Sequence, residues 1–182
     1  MQHFFRTVEK LSTYNILFKG LKEGTHVFDF QIGDSFFEHF ENSLINQAAV
    51  KVQVTLEKHS SFLALQIRLE GTVKLMCDRC LDWYDQPIED QETVFVKFGE
   101  TESEEGDDVI WILPEEYQIN VAQLIYEYIS ISVPLKHVHP DRNDGKSGCD
   151  PEMLEKLEKY THHEVEKTDE RWDELKKLLN NN

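Results

Sequence analysis

The chain is poor in cysteine and in positive charge, and it contains no long apolar run. Three cysteines occur in 182 residues. The expected compartment is reducing, and so few thiols there do not form a disulfide framework. No apolar stretch approaches the roughly 18 residues that a membrane span needs. The start, Met1 to Leu11, has neither a long apolar stretch nor a small-residue cleavage site. A cytoplasmic protein with no membrane partner is expected. Nineteen basic residues face 35 acidic ones, for a formal charge of −16. The average field of such a molecule repels a phosphate backbone, which disfavours non-specific nucleic-acid binding. The plain reading of the charge is solubility.

Catalytic signatures are missing as well. The sequence has no Gly-rich phosphate loop, no Gly-x-Ser-x-Gly and no His-Glu-x-x-His. Glu104-Glu105 and Glu115-Glu116 are adjacent carboxylates in polar segments, where water solvates them. His162-His163 falls in a charged linker and reads as surface. Nothing places a general base beside a nucleophile. The expectation is a protein that is not an enzyme and takes no small-molecule substrate.

What is present is a globular balance, with 40% apolar and 30% charged residues. Tyr14 to Phe18 is a short apolar stretch, and Gly20 to Gly24 reads as a turn. A strand runs from Val27 through Ile32. Ser35 is placed to cap a short helical turn through Phe36, Phe37 and Phe40, an aromatic cluster that reads as core. Ala48 to Leu75 is the strongest β signal. Val50, Val52, Val54 and Leu56 recur every second residue, as do Leu63, Leu65, Ile67 and Leu69. His59-Ser60-Ser61 lies between the runs as a hairpin loop. Gly71 suggests a bulge in the second run. Trp83 to Ile88 and Thr93 to Phe98 read as two further strands, with Pro87 confining the first to an edge or a bend. Glu100 to Asp108 carries six carboxylates and reads as a solvated loop. Val109 to Leu113 reads as a short buried strand.

From Asn120 to Ser132 the period changes. Val121, Leu124, Ile125, Tyr128 and Ile129 follow helical spacing. Asn120 is placed to cap, with Gln123 as its capping-box partner, and Pro134 should end the helix. His137 to Cys149 is a polar loop. Two charged helices are expected after it. One starts at Pro151 and runs to about Tyr160. The other, capped by Thr168 or Asp169, carries a narrow stripe of Trp172, Leu175, Leu178 and Leu179.

Chemistry concentrates at Cys77-Asp78-Arg79-Cys80, between two predicted strands. Two thiolates at this spacing converge on one ion from a tight turn and supply half of the tetrahedral set zinc prefers. Cys149 is the only other cysteine, and His137 and His139 precede it. A Cys3His site is therefore available: Cys77, Cys80, Cys149 and one histidine. Three readings stay open: a structural zinc site, a redox dithiol, and reduced cysteines that merely pack. The redox reading is weakened because Leu81 to Tyr84 looks like strand, whereas reactive Cys-x-x-Cys pairs sit at helix N-termini.

These residues resemble a family. Lys74 to Leu81 is similar to the strand-Cys-x-Arg-Cys-Leu centre of YceD-type proteins, the large ribosomal RNA subunit accumulation proteins. The helix with Asn120-Val121 at its start and Glu127 inside it, ending in Val133-Pro134, resembles the family's helix. His139 fits the Cys/His position after the proline best, with His137 as its substitute, and Cys149 fits the position beyond. Phe18 to Phe30 is similar to Bacteroidetes-type members, and Asp169-Glu170-Arg171-Trp172 with Leu175 and Leu178 to the family's closing motif. Two departures stand out. Gly145 to Cys149 lacks the further cysteines of many relatives, so the fourth ligand falls to a histidine. Glu170 replaces the tail proline.

The resemblance implies an α+β core over residues 1–140, followed by a loop and charged C-terminal helices over 141–182. The strand and helix patterns lead to the expectation of an antiparallel sheet, with a barrel-like curl as one form it could take, and one packed amphipathic helix. The implied role is non-enzymatic ribosome biogenesis. At −16 the expected partners are basic ribosomal or ribosome-assembly proteins, with ribosomal RNA engaged only indirectly. The rival readings are a zinc-stapled adaptor unrelated to ribosomes and a thiol oxidoreductase.

Overall fold

The alternating segment centred on residues 48–76 builds the middle of the fold. The computed structural model describes residues 11–99, 109–142 and 144–161. In chain order the strands are β1 (Asn15–Leu17), β2 (Gly24–Ile32), β3 (Ala48–Lys58), β4 (Phe62–Met76), β5 (Trp83–Phe98), β6 (Val109–Ile112) and β7 (Gln118–Asn120). The helices are α1 (Asp34–Phe37), α2 (Ala122–Ser132) and α3 (Pro151–Tyr160). Strands β2-β3-β4-β5-β6 form one sheet in that order, and β1 pairs with β7 in a small separate ribbon. The fold class is α+β.

Period-two alternation sets the two faces of the sheet. Val50, Val52, Val54 and Leu56 of β3 and Leu63, Leu65, Ile67 and Leu69 of β4 are all buried, while Lys51, Gln53, Gln66 and Arg68 are exposed. Register is strict because a one-residue slip would turn the apolar set to water. Helix α2 packs against β5 and buries Ala122, Ile125 and Ile129. Leu124 and Tyr128 of its stripe are only half-buried. The aromatic cluster is core packing: the rings of Phe36 and Phe37 meet edge to face, and Phe40 stacks on Tyr126 at 4.1 Å. Lys58 points inward at the end of β3, and its ammonium donates to the carbonyls of Phe18 and Leu21 at 3.0 and 2.8 Å. That contact ties the turn before β2 to the sheet.

Several expectations are corrected. The sheet stays open, with β2 and β6 as its edges, and β6 runs parallel to β5 rather than antiparallel. β6 is half-buried. Trp83 to Phe98 is one continuous strand; Pro87 faces Thr72 of β4, and β6 pairs only from Phe95 onward. At Pro87, β5 has β4 on one side only, and proline is tolerated in such an edge stretch. Gly71 sits in unbroken register between Val50 and Ile88, with no bulge. The reason for glycine there is space: a Cβ would lie 2.2 Å from the carbonyl oxygen of Ala49. Ser35 lies inside α1, and Gly33 holds the cap position. The capping box is not formed. Asn120 is in β7, its Oδ1 accepts from the N–H of Ala122 at 3.0 Å, and its amide donates to the carbonyl of Leu11 and to Asn15. Gln123 instead donates to Glu127 at 2.7 Å. The Glu100 to Asp108 loop, His162-His163 and the second C-terminal helix lie outside the described residues. Among the described residues, no helix is long and apolar enough to cross a membrane.

Candidate metal centre

The hairpin that joins β4 to β5 is closed by the Cys-x-x-Cys turn. The N–H of Cys77 donates to the carbonyl of Asp82 at 2.9 Å, and the N–H of Leu81 donates to the carbonyl of Cys77 at 3.0 Å. Leu81 takes a left-handed conformation with φ of 61°, which lets the chain reverse within the turn. The N–H of Arg79 points at the Cys77 sulfur at 3.5 Å. Both sulfurs thus face the same side of the turn.

The loop after α2 folds onto this hairpin tip. Asp78 and His137 pin it reciprocally. The N–H of Asp78 donates to the carbonyl of His137 at 2.7 Å, and the N–H of His137 donates to Asp78 Oδ2 at 2.8 Å. That clamp carries His139 and Cys149 to the two hairpin sulfurs. Cys77 Sγ lies 3.6 Å from Cys149 Sγ, and Cys80 Sγ lies 3.3 Å from His139 Nδ1. The ligand atoms of Cys77, Cys80, His139 and Cys149 all lie within 4.8 Å of one another. All three cysteines are free and buried. His137 is not in this cluster; its ring is turned toward the Asp78 carboxylate at 4.0 Å.

The spacing excludes a Cys77–Cys149 disulfide and is compatible with a shared ion. A disulfide needs about 2.05 Å between sulfurs, far less than the Cys77–Cys149 separation. Zinc with Zn–S near 2.3 Å and Zn–N near 2.0–2.1 Å, in tetrahedral coordination, sets sulfurs about 3.8 Å apart and sulfur and nitrogen about 3.5 Å apart. The observed 3.6 and 3.3 Å are close to those values. Three soft sulfurs and an imidazole are also the donor types that zinc takes in structural sites. The cluster could hold such an ion through Cys77, Cys80, His139 and Cys149.

The electrostatics of the site are divided. Burial pushes the Cys77 thiol up, but hydrogen bonds from the backbone of Cys80, Arg79 and His139 and from the His139 ring outweigh it. The net effect draws Cys77 down to about 5. Burial raises Cys149, and the neighbouring sulfurs of Cys77 and Cys80 raise it further against the opposing bond to Ser147. In the absence of metal the surroundings thus favour the thiolate at Cys77 and the protonated thiol at Cys149.

Sequence reasoning missed three supporting residues. Asp78 lies between the two cysteines and accepts the His137 N–H, a role that the Cys-x-x-Cys spacing does not signal. Tyr84 packs its ring 4.7 Å from that of His139 and holds the imidazole in place. Gly148 lies where a Cβ would meet the carbonyl oxygen of Pro140 at 2.4 Å and His139 Cβ at 3.0 Å. Only glycine lets the two limbs of the loop cross. The sequence signal was there, a glycine next to the candidate ligand, but it does not say which segment passes over it.

The fold and site together define a class: a small α+β scaffold whose central hairpin and post-helical loop meet at a buried Cys3His cluster. Residues 65–179 match the family model described as Large ribosomal RNA subunit accumulation protein YceD. That span is more than half of the chain and contains all four clustered residues, and the chain belongs to the YceD family. No curated protein and no solved structure matches the chain significantly.

Proposed function

We propose that this protein is a non-enzymatic ribosome-biogenesis factor that supports accumulation of large-subunit ribosomal RNA. Membership of the family named for that role is the observation that carries the reading. The proposed mechanism is contact with basic ribosomal or ribosome-assembly proteins in the cytoplasm, with ribosomal RNA engaged only indirectly. Its support is the charge of −16, which draws cationic partners by long-range steering and repels phosphate. Zinc at Cys77, Cys80, His139 and Cys149 has a structural part in this reading: it staples the loop after α2 to the β4–β5 hairpin. A closed four-ligand site leaves no open position for a reacting water, as a catalytic zinc requires.

The test is a deletion strain complemented with wild-type protein or with Cys149→Ser. Deletion should lower the ratio of large- to small-subunit ribosomal RNA, and the wild type should restore it. An unchanged ratio would sink the ribosomal role and leave a metal-stapled adaptor. Pull-downs at low salt should recover a basic ribosomal or assembly protein, and recovery should fall as salt is raised. Recovery of none would remove the proposed mechanism.

A further inference from the structure

The sheet ends differently on its two sides. Before Phe95, β5 has β4 alone as its neighbour among the described residues, and that stretch is guarded. Asp85, Pro87 and Glu89 stand on one of its faces, and Asp90 and Glu92 stand on the other with Ile88 and Val94. Proline and charge, charge on the core side included, deter a further strand from pairing. β2 carries no such guard. It is nine residues long and keeps unbroken register with β3, from Gly24 opposite Lys58 to Ile32 opposite Val50. It contains no proline, lysine or arginine. Among the described residues, no strand lies on its other side, and no backbone hydrogen bond except those to β3 reaches it. Alternate residues of such a strand direct N–H and C=O outward, which makes a template for one more strand.

The side chains of β2 are placed to receive one. Val27, on the solvent face, is 53% exposed. Phe28 and Phe30, on the core side, are only partly buried. An added strand would cover all three with its own alternating side chains. Charge selects the occupant. A second copy brings the same −16, and a nucleic acid brings phosphate, so the average field repels both. Within two residues of β2, or inside it, stand three carboxylates, Glu23, Asp29 and Asp34, against one lysine, Lys22. Asp29 shares the solvent face with Val27, and its Oδ1 accepts from the Gln53 amide at 3.0 Å.

We infer that the outer edge of β2 is a docking site for an extended cationic segment of another protein. The segment adds to the sheet beside β2, with apolar side chains over Phe28 and Phe30 and Lys or Arg beside Asp29. Main-chain hydrogen bonds give the affinity, and the alternating side chains give the selection. The inference rests on the reading that the partners are basic proteins, and it assigns them a surface.

The probe is a labelled peptide of alternating Lys and Val, about as long as β2, added to the full-length protein at low salt. Hydrogen exchange should show new protection confined to β2. The same peptide N-methylated at every bond has no donors left and should give none. Val27→Lys, a change at an exposed position, should weaken binding about fivefold by setting like charges side by side, while Val27→Glu should not weaken it. Protection elsewhere, no protection, equal protection by the methylated peptide, or wild-type affinity in Val27→Lys would each overturn the inference. So would protection of β2 that rises with protein concentration in the absence of peptide, because the occupant would then be a second copy. A low-salt pull-down with wild type and Val27→Lys separates this inference from the reading beneath it. Equal recovery of basic ribosomal or assembly proteins by both would keep that reading and overturn the edge. Recovery of none by wild type would remove the ribosomal reading, and the peptide measurements would still decide the edge.

Discussion

Cys77 and Cys149 are 72 residues apart along the chain, and their sulfurs are 3.6 Å apart in the fold. That one separation joins the central hairpin to the loop that follows the helix. It is too long for a disulfide and suits two sulfurs on one tetrahedral ion. Purified protein should hold close to one zinc per chain, and Cys149→Ser should lose most of it. Structural zinc contributes roughly 10–16 kcal/mol in small zinc-dependent units, so chelation should lower the melting temperature markedly. Elemental analysis and a melt with and without chelator check both statements. A metal-free wild type with an unchanged melt would rule out the staple.

Asp78 acts on the site without being a ligand. Removing its carboxylate in Asp78→Ala deletes the acceptor for the His137 N–H and loosens the segment that carries His139. Outer contacts of this kind typically change metal affinity by about 10- to 100-fold. Competition with a chromogenic chelator should show a loss in that range, with the fold retained by circular dichroism. Wild-type affinity in Asp78→Ala would mean the clamp is incidental.

Gly148→Ala should be as harmful as the loss of a clamp. The added methyl would lie 2.4 Å from the carbonyl oxygen of Pro140, so backbone must move, and His139 moves with it. We expect weakened zinc binding of a similar order. Gly145→Ala is a useful contrast: its Cβ would meet nothing, but its φ of +76° strains any other residue. That variant should lose a little stability and keep its metal.

For the metal-free chain, Cys77 sets a pH dependence. Its thiol is drawn from an ordinary 9.0 down to about 5 in the fold. Between those values the unfolded chain holds a proton that the folded chain has released. Stability from this group is therefore present above the unfolded value and is lost as pH falls through about 5. Cys149, raised by burial, acts in the opposite sense, but only above the ordinary cysteine range. Denaturation of metal-free wild type and Cys77→Ala should show a gap that widens as pH rises through this window. A gap that narrows would contradict the assignment.

Core packing gives a contrast between neighbours on α2. Ile125 is fully buried, while Leu124 is only half-buried. Ile125→Ala should cost about 2–5 kcal/mol, and Leu124→Ala clearly less. Urea denaturation of the two variants measures the difference. Equal losses would show that the helix is rotated from the position described.

Much of the sheet was legible because burial writes itself into alternation. β3 and β4 were readable to within a residue or two, since every second side chain had to be apolar. The helix from Ala122 was readable because its stripe had to face a core. Local chemistry named three donors, Cys77, Cys80 and Cys149, and left the fourth between His137 and His139, of which the family resemblance favoured His139.

Other features depended on contacts between distant segments. β5 was divided in sequence because Pro87 and the charges after Ile88 resemble a break. Only the tertiary structure shows the pairing with β4 running unbroken through Pro87. The parallel run of β6, the spatial need for Gly71 and the crossing at Gly148 arise where one backbone approaches another, and no single residue type records its opposing neighbour. The choice between His137 and His139 was made in the same way. Both are histidines on one loop. The hydrogen bonds between Asp78 and His137 turn one to the carboxylate and bring the other within 3.3 Å of the Cys80 sulfur. The amino-acid order determined which atoms were available to bind, and the three-dimensional packing selected which of them meet, because ligand distances depend on long-range hydrogen bonds.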